Sequence, residues 1–384
     1  MVSPVSEYGP IKLVVIQSTS FCNLDCDYCY LPNRHLKQEF SLELLEPIFA
    51  NIFTSPFIQD GFTVVWHAGE PLTMPITFYQ SAREIIKKVA MKSNCDYLAI
   101  NHNIQTNATL INQNWCDFFK ENNIRVGVSL DGPDFIHDHH RKTRKGLGSH
   151  AATMRGVGFL QDNSIEFTVI AVLTEHSLDY PEEIFNFFVE NNLKQVGFNI
   201  EEIEDYHQNS SLNKQAAETK FTNFMKTFYY LNKTHNQTLN VREFDHLKKV
   251  IYSQRGVNRG QFTPLTIISI DHQGNFMTFS PELLGVESTK YGKFALGNLA
   301  KDSLSLIKEN TKFKEINQKV QEGVNLCAQT CQYFEVCGGG SPGNKYFENG
   351  DFNTTETMYC RYTKKIILDV ILADLENSLQ INAD

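Results

Sequence analysis

Between residues 11 and 200 the chain alternates between short β-rich runs and longer amphipathic stretches, and this rhythm restricts the fold more than any other feature. Residues 11–17, 62–67, 97–106, 125–130, 165–173 and 195–200 read as strands from their β-branched and aromatic content. Helical periodicity fills the intervals near 41–54, 76–92, 111–122, 149–162 and 179–191. Strand, helix and strand in succession favour parallel pairing through right-handed crossovers. Six such units are too few for an eight-fold barrel, so the expected fold is α/β, an open or partial (β/α)6 barrel. Chemistry in such folds gathers on loops at the C-terminal ends of strands.

The remainder is expected to form a second unit. Residues 201–255 look helical and polar, and a hairpin is expected over 265–270 and 275–279, turning at Asp271-His272-Gln273-Gly274. Helices near 301–320, a Cys- and Gly-rich segment at 326–360 and an amphipathic helix from 364 to about 379 complete the pattern. The division expected is 1–235 for the barrel, 236–264 for a helical bridge and 265–384 for the C-terminal unit. A net charge of −9 argues against general nucleic-acid binding, which needs an excess of Lys and Arg. No apolar run approaches the roughly 20 residues of a membrane span, and the start lacks the charged and apolar regions of a signal peptide. A cytoplasmic protein without a membrane or nucleic-acid partner is expected. Few residues precede the first strand, so no separate N-terminal leader-binding domain is expected.

Nine cysteines are spread unevenly, three in residues 22–29 and four in 327–360. In a chain of 384 residues they read as metal ligands rather than as a disulfide scaffold. Cys95 and Cys116 read as ordinary thiols. Cys22-x3-Cys26-x2-Cys29 directly follows the first strand. Three thiolates on a four-iron cluster leave one iron open, whereas structural zinc wants four ligands and no fourth is near. Here the chain resembles the radical SAM superfamily, in which S-adenosylmethionine (SAM) binds the open iron of a 4Fe–4S cluster. That resemblance places Tyr28 beside the adenine. It likens His67-Ala68-Gly69-Glu70-Pro71 to the Gly-Gly-Glu motif that binds the SAM amino group, with Ala68 in place of the first glycine. Glu70 is then the ammonium acceptor. Gln105-Thr106-Asn107 and Ser129-Leu130-Asp131-Gly132-Pro133 end the third and fourth strands, and the resemblance carries ribose or carboxylate contacts to Ser129 and Arg141. His137-Asp138-His139-His140 reads as a solvated connecting loop, and Gly146-Leu147-Gly148 as a helix-entry turn.

Cys327-x3-Cys331-x5-Cys337 followed by Cys360 resembles the auxiliary-cluster region of SPASM-type radical SAM peptide maturases. Four thiolates close every iron of a second 4Fe–4S cluster, although four cysteines also suit tetrahedral zinc. The full SPASM pattern carries two auxiliary clusters. Here Phe279 stands at the Gly-x4-Cys position, and Ser341 follows Cys337 after three intervening glycines, so a single auxiliary cluster is expected. The stretch from Cys337 through Lys345 to Cys360 resembles the cyclophane-forming maturases of glycine-rich-repeat peptides. Those enzymes join an aromatic ring to the Cβ of a residue two positions on in a ribosomally made precursor, which becomes the expected partner, with a flavodoxin- or ferredoxin-like electron donor. Two other readings stay open: an anaerobic sulfatase-maturating, formylglycine-generating enzyme, and a zinc-stabilised binding protein. Glu282, the carboxylate nearest the Gly-x4-Cys position, is the candidate base.

Overall fold

The computed structural model describes residues 7–253 and 260–381. β1 (Leu13–Ile16), α1 (Leu45–Phe53), β2 (Thr63–Trp66), α2 (Ile76–Lys92), β3 (Asn101–Thr106), α3 (Gln113–Glu121) and β4 (Arg125–Ser129) repeat the strand–helix unit. Two helices, α4 (Asp134–His140) and α5 (His150–Asp162), precede β5 (Phe167–Leu173), and α6 (Pro181–Glu190) leads to β6 (Gln195–Ile200). β1 to β6 lie side by side in chain order, every pair parallel. This is the partial barrel expected.

Alternation along the strands sorts its two faces. Val64 and Trp66 are buried toward the helices, where Trp66 packs edge-on against Phe78 and Tyr79 of α2 at centroid distances of 5.8 and 5.3 Å. The intervening positions, among them Gln105, Gly127 and Ser129, share the opposite, concave face. A Cβ at Gly127 would lie 2.0 Å from Gln105 Oε1, so the glycine leaves room for that side chain.

α7 (Gln215–Thr234), β7 (Asn240–Val241) and α8 (Arg242–Ser253) follow, β7 extending the sheet beside β6. The hairpin forms as β8 (Ile267–Ile270) and β9 (Asn275–Thr278). β8 pairs in parallel with β1, Leu13 opposite Ile267, so one ten-stranded sheet runs across the boundary expected at 264–265. Residues 1–6, 254–259 and 382–384 of the expected domains lie outside the described residues. β10 (Glu287–Ser288) and β11 (Gly292–Lys293) form a separate ribbon, and β12 (Gly297–Asn298) pairs with β9.

The helices expected near 301–320 form as a 3-10 helix at Leu304–Glu309 and α9 (Thr311–Thr330), whose start Asn310 caps by accepting from Phe313 N at 2.9 Å. One expectation is corrected. Residues 137–140 are no solvated loop but the end of α4. His137 is fully buried, its Nε2 3.0 Å from Ser149 Oγ, and Asp138 accepts from the N–H groups of Ser149 and His150, both at 2.7 Å. Hydrogen bonds to a segment eleven or twelve residues later are invisible to local pattern. Beyond α9 come α10 (Phe334–Cys337), α11 (Pro342–Asn349), α12 (Met358–Cys360), a π-helical turn at Arg361–Ile366 and α13 (Ile367–Ile381). Asp374 of α13 returns to α7, meeting Lys233 Nζ at 2.6 Å.

Trp66 is 1% exposed in a cluster of rings, so Trp66→Ala should destabilise the barrel by about 3–5 kcal/mol. A lowered midpoint for the first chemical unfolding transition of the metal-free protein checks this.

Candidate functional site

The three N-terminal cysteines lie on the loop after β1, whose backbone is held by two arginines. Arg34 donates to the carbonyls of Cys26 at 3.1 Å and Cys29 at 3.3 Å, and Arg144 donates to that of Cys22 at 2.8 Å. Asn107 Nδ2 approaches Cys22 Sγ at 3.9 Å. Burial pushes the thiols of Cys22 and Cys26 up to about 12, Glu70 adding to the effect at Cys22 while Arg141 opposes it at Cys26. Thiols in such surroundings ionise when a metal centre takes the charge.

The end of β2 closes over this loop. Ala68 and Gly69 both adopt positive φ, 69° and 68°. A Cβ at Gly69 would sit 2.4 Å from Thr19 O, so glycine is demanded by space as well as by φ, whereas Ala68 holds the left-handed conformation with its methyl in place. Glu70 is almost completely buried. It accepts from Thr106 Oγ1 at 2.6 Å, Leu72 N at 3.0 Å and Asn107 N at 2.8 Å, and burial pushes its carboxyl up to about 7 against those donors. Much of its acceptor capacity is spent on the neighbouring strand end, leaving one lone pair of Oε2 for a ligand.

Arg141 and Tyr28 meet at a residue the sequence reading passed over. Arg141 forks onto Asp131 at 2.9 and 3.0 Å, and Tyr28 donates to the same carboxylate at 2.6 Å. The guanidinium carbon lies 5.4 Å from the Tyr28 ring centre. Burial acts against ionisation of Asp131, but Arg141 and the donors hold its carboxyl below the usual range. Arg141 therefore carries charge inward while two of its nitrogens are committed to Asp131. Ser129 Oγ accepts from Gln105 Nε2 at 3.0 Å on the concave face.

A cavity of about 170 Å³ opens beside these groups, bounded by Tyr30 and Leu31 of the cysteine loop, His67 and Ala68, and Glu204 and Glu282. Glu282 thus comes to the barrel mouth although it lies far along the chain. Glu202 and Glu204, on the loop after β6, join it electrostatically. Burial raises all three carboxyls, and the charge on Glu282 raises Glu202 and Glu204 further. Burial raises the Tyr30 hydroxyl well above its usual value, and the charges of Glu282, Glu204 and Cys29 raise it further. Glu202 and Glu204 were missed by sequence reasoning. Their signal was available, since both lie within four residues of the end of a barrel strand.

Cys327, Cys331, Cys337 and Cys360 line a second cavity of about 90 Å³. Among the described residues no three Cys, His, Asp or Glu side chains converge as closely as a single metal ion requires. Four thiols around a common space could serve a multi-iron cluster or tetrahedral zinc. Phe279 is fully buried with φ 78° and stacks on Phe313 at 6.5 Å. Ser341 is buried nearby in sequence to Gly343, whose N–H donates to Ser280 Oγ at 3.2 Å. Apolar packing and a hydroxyl thus stand where thiolates were absent. Cys116 is buried within the barrel core and donates to Phe159 O at 3.5 Å, an ordinary thiol. No helix among the described residues is long and apolar enough to cross a membrane.

Comparison with known proteins agrees with this geometry. The chain is 50% identical over 376 residues to the uncharacterized protein sll1766 of Synechocystis sp., covering 98% of this chain and 94% of that one. It is 28% identical to a serine-type anaerobic sulfatase-maturating enzyme of Bacteroides thetaiotaomicron, over 92% and 87% of the two chains. The solved structure of native anSMEcpe with bound AdoMet and Cp18Cys peptide shares the fold, with a TM-score of 0.78, 22% identity and coverage of 97% and 99%. The Radical SAM superfamily profile matches residues 16–218, more than half of the sequence. The chain belongs to the radical SAM superfamily, whose members use a 4Fe–4S cluster and SAM.

Proposed function

We propose that this chain is a radical SAM peptide maturase that joins an aromatic side chain to the Cβ of a nearby residue in a ribosomally made precursor. The observation that carries the peptide-maturase reading is the cavity that begins at Tyr30 and Leu31, beside Cys29, and ends at Glu204 and Glu282. The residues present fit the cofactors. Cys22, Cys26 and Cys29 are the only protein ligands needed by a cluster with one open iron, and the Cys22 and Cys26 thiols, pushed up to about 12 by burial, would ionise only where a metal centre takes the charge. When bound and reduced, SAM supplies a 5′-deoxyadenosyl radical able to take a hydrogen atom from a substrate carbon.

The protein's own contribution is placement, exclusion of water and removal of a proton. Glu70 ties the ends of β2 and β3 together and keeps one lone pair for the SAM ammonium. Ser129, on the concave face, would contact ribose or carboxylate oxygens, as would Arg141, while Tyr28 would lie by the adenine, and both Tyr28 and Arg141 are fixed by Asp131. A peptide side chain in the cavity meets Glu282, whose elevated carboxyl is matched to accepting a proton near neutral pH. Cys327, Cys331, Cys337 and Cys360 would hold one auxiliary 4Fe–4S cluster, which would supply an electron acceptor. A flavodoxin- or ferredoxin-like protein supplies the reducing electron.

The cross-link itself rests on the resemblance of residues 337–360 and on the absence of thiolates at Phe279 and Ser341. Formylglycine formation is the second reading, favoured by the 28% identity to the Bacteroides thetaiotaomicron enzyme and by the fold shared with a peptide-bound anSMEcpe.

Replacing Cys22, Cys26 and Cys29 together with Ala should abolish 5′-deoxyadenosine formation by the reduced, reconstituted protein. Undiminished SAM cleavage in that variant would remove the assignment. Co-expression with a glycine-rich precursor should yield a peptide lighter by two hydrogens per ring, with fragmentation suppressed inside each ring. Formylglycine from serine gives the same mass loss, so reaction with a carbonyl reagent is the decisive measurement, and a positive result favours the second reading. The rate of product formation should rise with pH through about 7, because the Glu282 carboxyl is raised to about that value and acts only when ionised. Glu282→Gln should remove this rise and lower product yield while leaving 5′-deoxyadenosine formation in place. An unchanged pH profile and yield would show that another group takes the proton.

A further inference from the structure

Helix α11 begins at Pro342 with its first turn inside the protein, and its fourth residue is a lysine that reaches no water. Lys345 is 3% exposed, and its Nζ donates to Cys327 Sγ at 3.4 Å. Among the described residues that sulfur is its hydrogen-bond partner, and no carboxylate pairs with it. The helix opposite makes room for the ammonium. A Cβ at Gly323 of α9 would lie 3.1 Å from Nζ, as well as 2.3 Å from Phe352 O. Lys365, which lines the adjoining cavity, differs in that Glu356 already balances its charge.

A buried ammonium without a counter-charge is costly, and a protein retains one where an anion meets it. The anion available here is the set of four cysteine sulfurs around the second cavity. Resting on the reading that these cysteines hold a four-iron cluster, we infer that Lys345 is a positioning residue whose fixed positive charge raises that cluster's reduction potential. One-electron reduction adds one negative charge to the cluster and transfers no proton. An ammonium touching a ligand sulfur stabilises the more negative state over the less negative one. Net charge and hydrogen bonds to sulfur are among the factors that set iron–sulfur potentials, and in a dry site a charge at this range is weakly screened. Lys345 thereby makes the auxiliary cluster a better acceptor for an electron arriving from the barrel mouth. The donor is the substrate radical, which becomes product on losing this electron and a proton, and the same electron must later pass to an external acceptor protein.

The test is a redox titration of the reconstituted full-length protein, followed by electron paramagnetic resonance. The signal that does not change on adding SAM is assigned to the auxiliary cluster. Lys345→Gln and Lys345→Met should each lower the equilibrium constant for its one-electron reduction by about tenfold or more, equivalent to about 59 mV. Lys345→Arg should restore most of the shift, because it restores the charge. Iron per monomer is measured in every variant. About eight irons in the parent and in Lys345→Gln, with an unmoved potential, would overturn the inference. Loss of about half the iron in Gln, Met and Arg variants alike would also overturn it, since the lysine would then serve packing alone. About four irons in the parent itself would instead remove the auxiliary-cluster reading beneath it.

Discussion

The contact between Gly69 and the backbone of the cysteine loop organises the N-terminal site. Gly69 passes so close to the carbonyls of Thr19 and Phe21 that any side chain would strike them, and Glu70 N donates to Phe21 O at 2.7 Å. The cysteine loop is thereby pinned to the end of β2. Glu70 then transmits the constraint to β3 through Thr106 and Asn107, and Asn107 returns to Asn23 and Cys22. The loop carrying three thiols is held from one side by strand ends and from the other by Arg34 and Arg144. A loop with little regular structure of its own can hold a cofactor when its carbonyls are anchored in this way.

Charge burial is the second theme. The barrel mouth contains carboxyl groups of opposite character within one polar region. Asp131 stays ionised because Arg141, a backbone N–H and the Tyr28 hydroxyl converge on it. Burial raises the proton affinity of Glu202, Glu204 and Glu282, and the charge on Glu282 raises that of Glu202 and Glu204 further. Such environments set the protonation of otherwise similar acids apart. At the far end, Lys345 and Cys327 are buried in contact, and the other three thiols lie around the same cavity, partly exposed.

The single sheet also changes how the two halves relate. β8 adds to β1 by parallel pairing, and β9 and β12 continue outward from it. The hairpin that leads into the cysteine-rich region is thus part of the barrel's own edge, and Pro281 and Glu282 follow β9 directly into the cavity. α13 folds back on α7, and Tyr362 donates to Leu212 O at 2.9 Å. Contacts from both ends of the C-terminal segment fix its orientation to the barrel.

Sequence by itself determined the six parallel strands and their helices, because alternating burial and turn chemistry are local properties. It also determined the two groups of cysteines, whose spacing is a chemical signature independent of the fold. It determined that Phe279 and Ser341 cannot serve as thiolate ligands. Only the tertiary structure decided that Arg141 turns onto Asp131, that Glu282 meets Glu204 across the cavity, and that Lys345 lies against Cys327. Each of these joins groups through space by hydrogen bonds or charge between elements whose relative placement no periodicity records. The helix at residues 134–140 belongs to the same class, since its histidines and Asp138 are anchored by the N-terminus of α5. Local pattern reports which side of an element is apolar, whereas the pairing of buried polar groups is settled only when the elements pack.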